Sequence, residues 1–234
     1  MLRLCAILFS LAPMLASHAA REDDAATQRG GKVKWARLKT ASASWHRHAR
    51  SDPDMLDYVR RNTTLNIDPV SYWADVGNLE QMCAYPLLFS EGTHWVTDPA
   101  QQRNIGEYLR RGGFLLIDSC IAVNSDADEY FRSEATVILS VLPDAQIRVI
   151  PTSDDIFHCF FDMKKGIPHT FNHNIFDPTW ASYGLHGIYY KGRLVAVISL
   201  SGLQCGWDRM VAPPGHYIEC MKMLVNIYTY ALTH

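Results

Sequence analysis

The chain has 234 residues, is 48% hydrophobic and carries a formal net charge of −2. That balance excludes an intrinsically disordered chain and a basic nucleic-acid binder, and the length suits one sizeable core.

The predicted elements begin with a leader. Arg3 precedes a short apolar run, Leu4 to Leu15, which ends in Ser17-His18-Ala19. A positive end, a short hydrophobic centre and small residues at −3 and −1 predict a secretory signal peptide over residues 1–19. The run falls short of the ~20 residues that span a bilayer. No Arg-Arg pair precedes it and no Cys follows it, so neither twin-arginine export nor a lipoprotein anchor is expected. The expected location is periplasmic or secreted, with no membrane span after cleavage. Residues 20–32 hold Glu22-Asp23-Asp24 and Gly30-Gly31 and read as a flexible lead-in. One α/β domain over residues 33–234 follows.

Within that domain, Val33 to Thr40 is a strand candidate, and Asp52-Pro53 marks the start of a helix over Met55 to Arg61. Leu65 to Asp68 is a short strand candidate. The apolar run Tyr85 to Ser90 suits a strand covered on both faces. Asp98 and Pro99 open a helix that Gly112 ends. Phe114 to Asp118 is a second apolar strand. A helix from about Asp126 to Leu142 places Phe131, Ala135, Ile138 and Leu142 on one stripe. Gln146 to Ile150 is a third such strand. Ile188 to Ser199 reads as a hairpin around Lys191-Gly192. A last helix runs from about His216 to Leu232.

Apolar strands alternating with amphipathic helices predict an α/β fold with a mostly parallel sheet covered on both faces. Ligands of such sheets bind outside the carboxyl ends of the strands. Three loops qualify: Glu91 to Trp95, Ser119 to Asn124, and Ser201 to Asp208. Glu91, Gly92, His94, Asp118, Cys205 and Trp207 are the expected ligand-binding residues.

The chemistry-bearing residues leave several readings open. Asp118, Ser119, Cys120 and His158 are the candidates for catalysis. The excursion Ser153 to His173 holds Asp154, Asp155, His158, His169 and His173, and H-x3-H is a metal-ligand spacing. Pro168 and Asn172 mark loop there, so His158, His169 and His173 stay weak as ligands and no metal or other cofactor is expected. His46-Arg47-His48, next to Arg50, reads as a solvated basic loop. Cleavage of the leader would leave five cysteines: Cys83, Cys120, Cys159, Cys205 and Cys220. An oxidising compartment would pair some of them, and an odd number leaves at least one thiol. Cys120 and Cys205 each follow a predicted strand, which makes them the disulfide candidates.

The segments YPLLFSEG, YLRRGGFLLIDSC, FRSE, LPDA, GIYYKGRLVAVISLSGLQCGW and VNIYTYALTH, in this order, resemble the domain of unknown function 4159 family, from about Lys34 to His234. The resemblance implies a class I glutamine amidotransferase-like fold, a flavodoxin-like three-layer sandwich. It implies no reaction. Catalytic amidotransferases place their Cys in a cramped Gly-x-Cys-x-Gly elbow, whereas Asp118 and Ala122 flank Cys120 here. The His216 to Glu219 pair lacks the partner spacing. Glutaminase activity is therefore not expected. Trp73, Trp95, Trp180 and Trp207 fall mostly in predicted loops, and aromatic faces beside amides and acids suit a sugar. The resemblance to sandwich proteins that include trehalose-utilisation-like members points the same way. The expected function is a non-catalytic ligand-binding or assembly module of the cell envelope, for a small-molecule or glycan ligand or an envelope protein partner. The alternative is a hydrolase using Asp118, Ser119 and a histidine of the 153–173 segment, with or without a metal.

Overall fold

The computed structural model describes residues 31–119, 124–168, 184–208 and 214–234, apart from the side chains of 124–126 and 214. The proposed leader and most of the lead-in lie outside the described residues, as do Cys120, His169, His173 and Trp180.

Residues Val33–His234 form one compact unit built on seven strands. In chain order they are β1 (Ala36–Lys39), β2 (Tyr72–Asp75), β3 (Leu87–Ser90), β4 (Phe114–Asp118), β5 (Gln146–Val149), β6 (Leu185–Tyr190) and β7 (Arg193–Ser199). The helices are α1 (Asp52–Asn62), α2 (Leu79–Cys83), α3 (Pro99–Arg110), α4 (Asn124–Val141), α5 (Leu203–Trp207) and α6 (Pro214–Thr233). The sheet order is β2-β1-β3-β4-β7-β6-β5. The pairs from β2 through β7 are parallel, and only β6 runs against its neighbours. This is an α/β fold with a mostly parallel mixed sheet, consistent with a flavodoxin-like sandwich.

The apolar runs explain the layering. Alternate residues of a strand face opposite sides. Leu87, Phe89, Phe114 and Leu116 join Met55, Leu56 and Val59 of α1 and Met221, Leu224, Val225 and Tyr228 of α6 in one buried cluster. Leu88, Leu115 and Ile117 join Ile105, Tyr108 and Leu109 of α3 and Ile138 of α4 in the other. Residues buried on both sides of a sheet must all be apolar, which is why β3 and β4 read as unbroken runs.

Several expectations change. The strand expected over Leu65 to Asp68 is a single bridge between Val33 and Ile67. α1 starts at Asp52-Pro53 as expected, with Ser51 at its N-cap and no side-chain cap bond. The buried Asp52 carboxylate takes Arg37 Nε at 2.8 Å and Nη2 at 2.5 Å, with further donors from Trp35 and Ser71. A buried guanidinium needs that pairing. Asp98 caps α3 as expected, accepting from Ala100 N at 2.7 Å. The hairpin turn forms at Lys191 and Gly192, both at positive φ, the pattern of a type I′ turn.

Candidate functional site

Because β1, β3, β4 and β7 are parallel, the loops that follow them all leave from one edge. Register sets their heights. Ser90 pairs with Ile117 and Asp118 with Ser199, so Glu91, Asp118 and Ser199 lie side by side. The chain runs from β1 to β2 on one side and returns to β3 on the other, so β1/β3 is the switch point of the sheet, where such folds open a crevice.

Asp118 is completely buried. Its carboxylate accepts from Ser199 Oγ at 2.6 Å, Leu203 N at 2.8 Å and Gln204 N at 3.0 Å. It therefore ties off the start of α5 rather than facing a ligand. Burial pushes it up to about 6, against the pull of those donors. The expectation that Asp118 contacts a ligand or acts as a catalytic acid is corrected on this ground: its lone pairs are spent inside the fold. Trp207 is corrected too. It is fully buried, edge-on to Trp35 at 5.7 Å and tilted against Phe89 at 5.6 Å, and its indole N–H donates to the Cys220 carbonyl at 3.2 Å. It has no face to offer a ligand. Of the other tryptophans read as a cleft, Trp95 is half exposed beside β3, and Trp73 sits on the edge strand β2 under Lys39 Nζ.

Glu91 behaves differently. It is 4% exposed. Oε1 meets Arg47 Nη1 at 2.8 Å, while Oε2 is buried with no hydrogen-bond partner among the described residues. Burial pushes the carboxyl up to about 7, with Arg47 opposing and Asp118 adding to the rise. Gln204, on α5, is fully buried, and neither atom of its side-chain amide finds a partner among the described residues. Its backbone N–H joins it to Asp118 and so to the same layer.

The third feature is His94. Glu134, buried on α4, accepts from Thr93 N at 2.8 Å and His94 N at 3.2 Å, and it also bonds Thr93 Oγ1 and His94 Nδ1. Gly92 is required here: a Cβ would lie 2.8 Å from the His94 ring and 3.0 Å from Glu134 Oε1. Tyr130 meets the His94 ring edge-on at 5.4 Å and donates its hydroxyl to the Glu91 carbonyl at 2.6 Å. Ser119, mostly buried, lies beside Tyr130.

The loop read as solvated and basic is part of this edge. It follows β1, and its Arg47 reaches Glu91. His48 Nδ1 lies 3.2 Å from Asp208 Oδ2, and Arg50 donates to the same oxygen at 3.0 and 3.2 Å. Cys205 is engaged in a disulfide whose partner lies outside the described residues. Cys83, Cys159 and Cys220 are free. His158 stands apart, after β5 at the far side of the sheet. Its Nδ1 pairs with Asp162 at 2.8 Å and its Nε2 with the Thr152 carbonyl at 2.7 Å. Asp118, Ser119 and His158 are thus not brought together. Among the described residues no group of three or more His, Cys, Asp or Glu is placed to hold a metal.

The domain of unknown function DUF4159 matches residues 34–232. The chain belongs to this family. No curated protein matches it. The match spans all four loops of the carboxyl edge, so Arg47, Glu91, His94, Glu134 and Gln204 all lie within the family domain. Among the described residues no helix is long and apolar enough to cross a membrane.

Three residues of this site, Arg47, Glu134 and Gln204, escaped the sequence reading. Arg47 was legible in principle, because the loop after the first strand leaves from the same edge as the other three. Glu134 lies four residues before Ile138 and four after Tyr130, so it is a carboxylate on an otherwise apolar helix face, a pattern that signals a buried partner.

Proposed function

We propose that this family member is an exported ligand-binding module of the cell envelope, and that it holds a polyhydroxylated, carbohydrate-type ligand at the β1/β3 switch point. One observation carries the reading: Glu91 Oε2 is buried at that point without a partner among the described residues. Leaving a buried carboxyl oxygen unpaired costs about 1–3 kcal/mol, and a ligand hydroxyl donated to it would recover that. Gln204 supplies an amide donor and acceptor, Arg47 has guanidinium N–H groups beyond its bond to Glu91, and half-exposed Trp95 offers a flat apolar face. Carboxyl, amide, guanidinium and aromatic face together suit a sugar. Export is supported by the leader Arg3 to Ala19. The amidotransferase-like character of the domain remains part of this proposal, without its thiol chemistry, because Cys120 lacks the glycine elbow.

The experiment is a calorimetric titration of the purified chain with a panel of neutral oligosaccharides. At least one should bind, and Glu91→Gln and Gln204→Leu should each weaken it about tenfold, as expected for the loss of one buried hydrogen bond. Binding of none of them, or binding that ignores both substitutions, would reject the reading.

A further inference from the structure

Rigid fixation of His94 asks for more than a loop anchor. Its ring is bonded at Nδ1 by Glu134, closed in by Gly92, met edge-on by Tyr130 and tilted against Trp95, with centroids 4.4 Å apart. Facing a carboxylate, the neutral imidazole places its proton on Nδ1 and its lone pair on Nε2. No hydrogen bond reaches Nε2 among the described residues, and the side chain is 23% exposed. The imidazole therefore presents a single oriented proton acceptor at the same edge as Glu91, three residues away. An anchoring role would be met by the two backbone N–H bonds and the Thr93 hydroxyl alone.

We propose that His94 is the general base of an ester-hydrolysing site whose substrate is an O-acylated carbohydrate; the substrate class rests on the binding reading above. His94 Nε2 takes a proton from a water molecule as its oxygen bonds to the acyl carbon, and the carbonyl electron pair moves to oxygen. The free N–H groups of Arg47 face that developing charge. The intermediate then collapses: the bond between acyl carbon and sugar oxygen breaks, and the sugar oxygen takes the proton back from Nε2. The products are a carboxylic acid and the freed hydroxyl, and water is the co-reactant. Glu134 is a positioning residue and Glu91 holds a neighbouring hydroxyl. An ester fits better than a glycoside. Glycoside cleavage uses two carboxyl groups flanking the bond, and here Asp118 and Glu134 are saturated by N–H and O–H donors. An imidazole held by a carboxylate is the arrangement that acyl transfer uses.

The test measures acetate release from p-nitrophenyl acetate and from acetylated xylan by the full purified chain. The wild type should act on at least one. His94→Gln should lower kcat at least about 100-fold with little change in KM, and Glu91→Gln should raise KM on the xylan. His94→Ala should regain activity with added imidazole, which a structural role would not produce, and a wild-type melting curve for His94→Gln excludes misfolding as the cause. A wild type no faster than buffer on either ester, or a His94→Gln chain within twofold of wild type, overturns the proposal. Oligosaccharide binding without ester cleavage would do so while sparing the binding reading. Cleavage of p-nitrophenyl acetate that depends on His94, in a chain that binds no oligosaccharide and leaves xylan intact, would retain the base and overturn its substrate.

Discussion

At the end of β4, Asp118 accepts from one hydroxyl and two backbone N–H groups and closes the start of α5. One strand over, at the end of β3, Glu91 is buried almost as deeply but uses one oxygen for Arg47 and leaves the other unbonded among the described residues. The two carboxyls share a register level, a dielectric environment and a position at the carboxyl edge. They differ in whether the fold itself supplies donors. α5 turns its first N–H groups toward Asp118, whereas the loop after β3 turns its N–H groups toward Glu134. A buried carboxyl that the fold satisfies is structural. One that the fold leaves short is a candidate for an outside donor.

The largest effects should fall on the satisfied side. Asp118→Ala leaves three buried donors without their acceptor, so urea unfolding should show a loss of about 3 kcal/mol or more. Trp207→Ala should cost about 3–5 kcal/mol, as deletion of a fully buried indole does. Neither change should act first on ligand affinity. If either variant instead kept wild-type stability, Asp118 or Trp207 would return to the ligand side of the comparison.

The disulfide comes next. Peptide mapping without reductant should find Cys205 joined to Cys120, the other cysteine expected at a strand end, and reduction should lower stability by about 2–4 kcal/mol. A crosslink to any other cysteine would separate the loop after β4 from α5.

The pH dependence sharpens the contrast. Both carboxyls lie above their ordinary values in the folded chain, at about 6 for Asp118 and about 7 for Glu91, and burial is the main cause. The folded state therefore holds protons that the unfolded chain releases. Their contribution to stability is complete below the ordinary values of 3.8 and 4.5 and is lost as pH rises through about 6 and about 7. Melting curves from pH 4 to pH 9 should show wild type losing more stability than Glu91→Gln as pH rises from 4.5 to about 7, with the difference constant above that. Curves that stay parallel would place Glu91 in water.

Much of this arrangement was legible in the sequence. Leu87 to Ser90 and Phe114 to Asp118 are apolar throughout because both faces are covered, and that alone implied parallel strands and a functional carboxyl edge. Glu91 and His94 were expected at that edge because they follow such a run. The roles of Asp118 and Trp207 were not legible, because strand-end position says nothing about which way α5 turns. A five-residue helix, Leu203–Trp207, carries no periodic signal, yet it both saturates Asp118 and swings Trp207 into the core. β2 was missed for a related reason: Tyr72 to Asp75 is a four-residue edge strand with an exposed Trp73, and its pattern resembles a loop.

The smallest stability effect should be at Arg47, which is half exposed. Arg47→Ala should cost less than about 1 kcal/mol while weakening oligosaccharide binding in the calorimetric titration. A larger loss of stability would make the Arg47–Glu91 pair part of the fold.

The melting temperature of Glu91→Gln at pH 8, with no ligand present, tests the contrast between the two carboxyls most directly. Glutamine keeps the shape and removes the buried charge, so a residue retained for a ligand should melt at or above the wild-type temperature. A fall as large as that of Asp118→Asn under the same conditions would mean that the fold, not a ligand, requires Glu91, and the switch-point site would be wrong.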